Sequence, residues 1–163
     1  MTTEERTIQR DRMRFIRNSM SANLCYLGIL FNVFYFVNLY QSDVGTYYYQ
    51  IFIGASIVYN LLFLLFVFLA SESVKNYVKN YSYLLIFAGV MQVGRIFYIP
   101  MRAHAAMTAV NGVDVPVMGD GQFYLLSAFL LISAACLLAS AAVNLFKCKE
   151  LADHMKTLEA REA

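Results

Sequence analysis

Arg95 is a guanidinium set inside an otherwise uncharged run, Tyr81 to Met101, with Gln92, Tyr98 and Arg102 within two helical turns of it. Five donors in a planar array match phosphate and carboxylate oxygens bidentately. Placing that group among apolar residues costs at least about 2.5 kcal/mol on membrane-insertion scales, so such an arginine turns toward protein or water. Gln92, Arg95, Ile99 and Arg102 recur at helical spacing and are expected to share one face. At about 1.5 Å of rise per residue, Arg95 lies in the outer half of its run, roughly 10 Å below the interface. Pro100 has no N–H to offer the carbonyl of Ile96, so a kink is expected just beyond, with Gly89 and Gly94 as further weak points.

Four long apolar runs contain no Asp or Glu, so an acidic partner for Arg95 must come from their ends. Asp43 follows the first run and Asp120 precedes the fourth. With Gln92, Asn38, Tyr98 and Arg102 they complete a candidate pocket for an anionic headgroup, an anionic solute or a carbonyl-bearing ligand. The competing expectation is structural: Arg95 snorkels to the outer interface or pairs with an aspartate and so fixes helix packing.

Other chemistries find little support. Proton relays and cation-coupled carriers rely on intramembrane Asp, Glu or His, and the runs contain none. His104 and His154 stand alone outside the runs, so neither a metal cluster nor a haem pair is expected. There is no phosphate-binding glycine loop, zinc-protease helix or nucleophile elbow. Ser, Asn and Tyr are plentiful, yet none has a base beside it to activate it. No catalytic residue, metal or cofactor is assigned on this basis, and catalysis is disfavoured.

The elements that carry these residues follow from hydropathy. Hydrophobic residues make up 60% of the 163-residue chain, concentrated at Ala22 to Tyr40, Tyr47 to Ala70, Tyr81 to Met101 and Phe123 to Phe146. Crossing a hydrocarbon layer roughly 30 Å thick takes about 20 helical residues, which each run supplies. A soluble bundle would need a charged stripe on every helix, and these runs have none. The expected fold is all-α, a four-transmembrane-helix bundle spanning 21–146. A basic amphipathic helix at 1–20 precedes it, 102–121 forms an outer loop, and a helical tail at 147–163 follows. The first run ends without a small-residue cleavage pattern and is read as a retained span.

Charge sets the orientation. Arg6, Arg10, Arg12, Arg14 and Arg17 precede the first run, Lys75 and Lys79 separate the second and third, and Lys147, Lys149, Lys156 and Arg161 follow the fourth. The other two connections carry Asp43, Asp114 and Asp120, with Arg102 as their strong base. Basic loops stay inside, so both termini are expected in the cytoplasm. A net charge of +2 gives no case for nucleic acid, whereas the N-terminal arginines suit anionic lipid headgroups.

Three details complete the reading. Val110-Asn111-Gly112-Val113 carries a hairpin signal, which makes a small outer β-hairpin plausible. The fourth run is rich in Ser and Ala, with Ala135 and Ala139 at the small-xxx-small spacing that lets membrane helices approach closely, within the bundle, in a homo-oligomer or against a protein partner. Cys25, Cys136 and Cys148 form no disulfide pattern and read as reduced thiols. The leading functional expectation is a non-enzymatic multi-pass protein of the cell membrane, an accessory or scaffold subunit of a larger assembly. The alternatives are a small oligomeric transporter or ligand-binding protein using the Arg95 pocket, and a membrane-embedded lipid-modifying enzyme.

Overall fold

A computed structural model of the chain describes residues 16–40, 46–105, 107–110, 113–116 and 118–162. Asp43, residues 1–15 of the expected amphipathic helix and the Asn111-Gly112 turn lie outside them. Ser19–Tyr40 forms α1, Thr46–Lys75 α2, Asn80–Tyr98 α3, Pro100–Ala105 the short α4 and Asp120–Glu162 α5, while Met107–Val110 and Val113–Pro116 form β1 and β2. Segments Ser19–Leu39, Ala55–Lys75, Asn80–Ala105 and Asp120–Thr157 are each long and apolar enough to cross a bilayer. The chain is a multi-pass helical membrane protein.

Its surface and interior are those of a molecule solvated by hydrocarbon. Phe87 is 63% exposed, and Leu61, Phe97 and Phe146 likewise face outward, while Asn18, Asn32, Gln92 and Asn144 are buried. In water this distribution would be unfavourable at both surfaces. In lipid, bulky side chains lose nothing by facing out, and polar groups gain by meeting one another inside.

The buried positions fall into seams. Entering and following α1 they are Asn18, Ser21, Cys25, Gly28, Asn32, Tyr35 and Leu39, alternately three and four residues apart. The same alternation runs through Ser56, Asn60, Phe63, Val67, Ala70 and Val74 in α2, Ser82, Leu85, Gly89 and Gln92 in α3, and Leu126, Leu130, Ser133, Leu137, Ser140 and Asn144 in α5. A spacing of 3.5 is the seam of near-parallel, left-handed helix packing. Helix α5 lies at the centre, with α1 and α3 along it, and α2 packs mainly on α1. Two glycines set the approach of the flanking helices. A Cβ on Gly28 would meet Leu137 at 3.0 Å and the Ser133 carbonyl at 3.4 Å, and one on Gly89 would meet Leu138 and the Ala134 carbonyl at the same distances.

The helix ends follow local chemistry. Helix α2 stops in a Schellman turn: the Val78 N–H reaches the Ser73 carbonyl and the Tyr77 N–H that of Val74, both at 3.1 Å. Tyr77 takes the left-handed position, φ 60°, where glycine is usual. At the opposite end Ile99 closes α3, its N–H bonded to the Arg95 carbonyl at 3.0 Å, and Pro100 starts α4. Helical bonding continues across this break, with the Ala103 N–H on the Ile99 carbonyl at 3.0 Å, but Arg95 is buried and Arg102 exposed. Strands β1 and β2 pair antiparallel from Met107↔Pro116 to Val110↔Val113. Met118, fully buried among Tyr35, Leu39, Leu126 and Leu130, fastens this loop to the bundle.

Candidate functional site

Arg95 lies inside the bundle, 7% exposed, at the level where α1, α2, α3 and α5 each contribute a polar side chain. Asn32 of α1 is the hub. Its Oδ1 accepts from Arg95 Nη1 at 2.9 Å and from Gln92 Nε2 at 2.9 Å, and its Nδ2 donates to Asn60 Oδ1 of α2 at 3.2 Å. Arg95 Nη1 also donates to Gln92 Oε1 at 3.1 Å, one turn back on its own helix. Asn60 Nδ2 donates to the Ser56 carbonyl at 2.8 Å. Gln92 Nε2 reaches Ser133 Oγ of α5 at 3.4 Å, and Ser133 in turn donates to the Gly28 carbonyl at 2.7 Å. The guanidinium carbon stands 4.7 Å from the Tyr35 ring centre and 4.5 Å from that of Tyr59. Out of water, such cation–π contacts reach about 2 kcal/mol or more.

A second polar cluster occupies the end of the bundle near the α2–α3 turn. Asn18 Nδ2 donates to Asn144 Oδ1 at 3.1 Å, and Asn144 Nδ2 donates to Ser82 Oγ at 2.8 Å and the Val78 carbonyl at 3.3 Å. Ser21 and Ser140 exchange bonds, each hydroxyl donating to the other's backbone carbonyl at 2.7 Å, and Cys25 Sγ lies 3.1 Å from Ser140 Oγ. Cys148 donates to the Tyr77 carbonyl at 3.1 Å, which caps the left-handed residue of the turn.

Of the residues singled out by sequence, Gln92 and Arg95 come together. Asn38, Tyr98, Arg102 and Asp120 make other contacts, and Asp43 lies outside the described residues. Asn38 donates to the Phe34 carbonyl of its own helix at 2.9 Å. Tyr98 and Arg102 are exposed and stack on each other at 5.1 Å across the break at Ile99. Asp120 is 83% exposed and lies 3.7 Å from His104 Nε2, next to the ring stack of His104 on Phe123. Sequence reasoning missed Asn32, Tyr35, Tyr59, Asn60 and Ser133 as parts of this cluster.

The arrangement binds helices to one another. The Ser21, Ser133 and Ser140 hydroxyls donate to backbone carbonyls of neighbouring helices. The small-residue face of α5 divides: Ser133, Ala134, Ser140 and Ala141 are buried, whereas Ala135, Ala139 and Ala142 face outward. Comparison with known protein families, curated proteins and solved structures finds no match, so functional argument rests on this geometry.

Proposed function

We propose that the chain is a non-enzymatic subunit of a larger membrane assembly, a scaffold or accessory component of the cell membrane with both termini in the cytoplasm. The observation that carries this reading is the use made of polar and small residues. The buried amides and hydroxyls around Asn32 and Asn144 are engaged in joining helices, while the small-xxx-small pair Ala135 and Ala139 is left on the outside. In lipid, close approach of backbones at small residues is a main source of helix association, so this face suits another helix. Arg17, Lys75, Lys79, Lys147 and Lys149 gather at the α2–α3 turn end, against Asp114 and Asp120 at the hairpin end. That distribution supports the cytoplasmic placement of the termini.

A small transporter or a ligand-binding protein built on Arg95 draws less support, because the guanidinium is closed in by Tyr35 and Tyr59. A lipid-modifying enzyme relying on Arg95 and Asp120 would need two groups that the bundle places in different environments. Extraction in mild detergent followed by mass determination tests the proposal. The chain is expected to travel with a second protein, and Ala135→Leu with Ala139→Leu should release it while leaving the bundle's thermal stability unchanged. A clean monomer with no co-purifying protein would refute the reading.

A further inference from the structure

Helices α2 and α3 meet less closely than the other neighbours, and a cavity of about 360 Å³ lies between them. Phe63, Phe66 and Val67 line one wall, Leu84 and Met91 the other, and Tyr59 closes the top. From Ala70 to Tyr59 it follows eleven residues of α2, roughly 16 Å by helical rise. Phe66 and Met91 on its rim are exposed, so it opens sideways to the surrounding hydrocarbon. A helix about 10 Å across does not enter a slot of this volume, whereas a single hydrocarbon chain does.

Its lower mouth lies close to several basic residues. Lys75 and Lys79 belong to the turn that joins these same two helices, five residues beyond Ala70 and five before Leu84, or roughly 7 Å of rise. Arg17, Lys147 and Lys149 lie at the same end. The one carboxylate between the mouth and Lys75, Glu72, is tied to Tyr26 Oη at 2.9 Å and to Lys75 Nζ at 3.2 Å. Lys79 is exposed. Basic groups at the mouth of a cleft between membrane helices are the recognition chemistry of anionic lipid headgroups.

We propose that this groove holds one acyl chain of an anionic phospholipid from the adjacent leaflet, with its phosphate on Lys75 and Lys79. The site requires only that the helices span a bilayer. It is independent of the scaffold reading and separate from Arg95, which Tyr59 shuts off from the groove.

The test titrates the full-length, delipidated protein with palmitoyl-oleoyl phosphatidylglycerol and with the phosphatidylcholine of the same chains, and counts bound lipid by native mass spectrometry. Phosphatidylglycerol is expected to be retained preferentially, by roughly fivefold for each lysine engaged. Lys75→Ser with Lys79→Ser should bring it down to the phosphatidylcholine level. Ala88→Phe, which fills the groove, should lower retention of both lipids, and millimolar inorganic phosphate should not compete. Equal retention of the two lipids by the parent, or unchanged preference in the lysine variant, overturns the proposal. So does a dimer that Ala88→Phe dissociates, which would make a second copy the occupant. The lysine substitutions alter no core side chain, so that arm decides the matter even if Ala88→Phe does not fold.

Discussion

The cluster around Asn144 and the cluster around Arg95 lie on the same seams of the same helices, one near the α2–α3 turn and one toward the hairpin end. The first is made of neutral amides, hydroxyls and thiols in short reciprocal bonds, such as the Ser21–Ser140 exchange. The second is organised around a charge, and one amide oxygen, Asn32 Oδ1, serves two donors from α3. The difference concerns what is left behind when a member is removed. A neutral interhelical bond in a membrane averages about 0.6 kcal/mol, because the unfolded chain in the membrane also finds partners for these groups. A guanidinium that loses the Asn32 acceptor stays buried and charged, and a buried charged group short of an acceptor costs more than the roughly 1–3 kcal/mol of a neutral one. The two clusters look equally polar, but they should fail differently.

The largest effect is therefore expected from Asn32→Leu, with a loss of about 3 kcal/mol or more in a reversible unfolding titration in mixed micelles. Arg95→Leu should cost less than Asn32→Leu, since it removes the charge together with its requirements. The double variant should then be more stable than Asn32→Leu alone. If Asn32→Leu proves as mild as a serine substitution near Asn144, the contrast between the clusters is lost. Arg95→Lys sharpens it further. The charge remains, but the planar donor array and its stacking between Tyr35 and Tyr59 go, at about 1–2 kcal/mol in the same titration.

At the neutral end, Asn144→Leu removes the bonds to Asn18, Ser82 and the Val78 carbonyl. Three bonds at the membrane average amount to about 2 kcal/mol, less than the Asn32 variant, which also loses three. A melting temperature lower than that of Asn32→Leu would show that the charge on Arg95 does not govern the interior.

How far these clusters can be read from sequence depends on which property marks them. The spans were legible because length and hydropathy suffice, and Arg95 stood out as a charge in an apolar run. The break near Pro100 also follows from covalent structure. Asn32 was not legible by depth, which favoured Asn38, six residues nearer the hairpin end. What separates the two asparagines is rotation about α1. Asn32 lies on the alternating three-and-four seam with Ser21, Cys25 and Gly28, and Asn38 does not. Hydropathy hides that seam, because in lipid the buried face is the small and polar one and the large residues point outward. Searching each span for small or polar residues at a spacing of 3.5 would have selected Asn32, Gln92 and Ser133 together.

The smallest effect is expected at the acidic residue that sequence offered as Arg95's partner. Asp120 begins α5 at the hairpin end of the bundle, 83% exposed, with His104 Nε2 at 3.7 Å as its basic neighbour among the described residues. Exposed pairs at that separation contribute little, because water screens them and both side chains lose freedom in holding the contact. Asp120→Asn keeps a good N-cap residue type at the helix start and should leave the melting temperature unchanged within error. Because the substitution removes a charge and almost no volume, the result isolates electrostatics. A loss on the scale of Asn32→Leu would mean that Asp120 acts on the buried guanidinium after all.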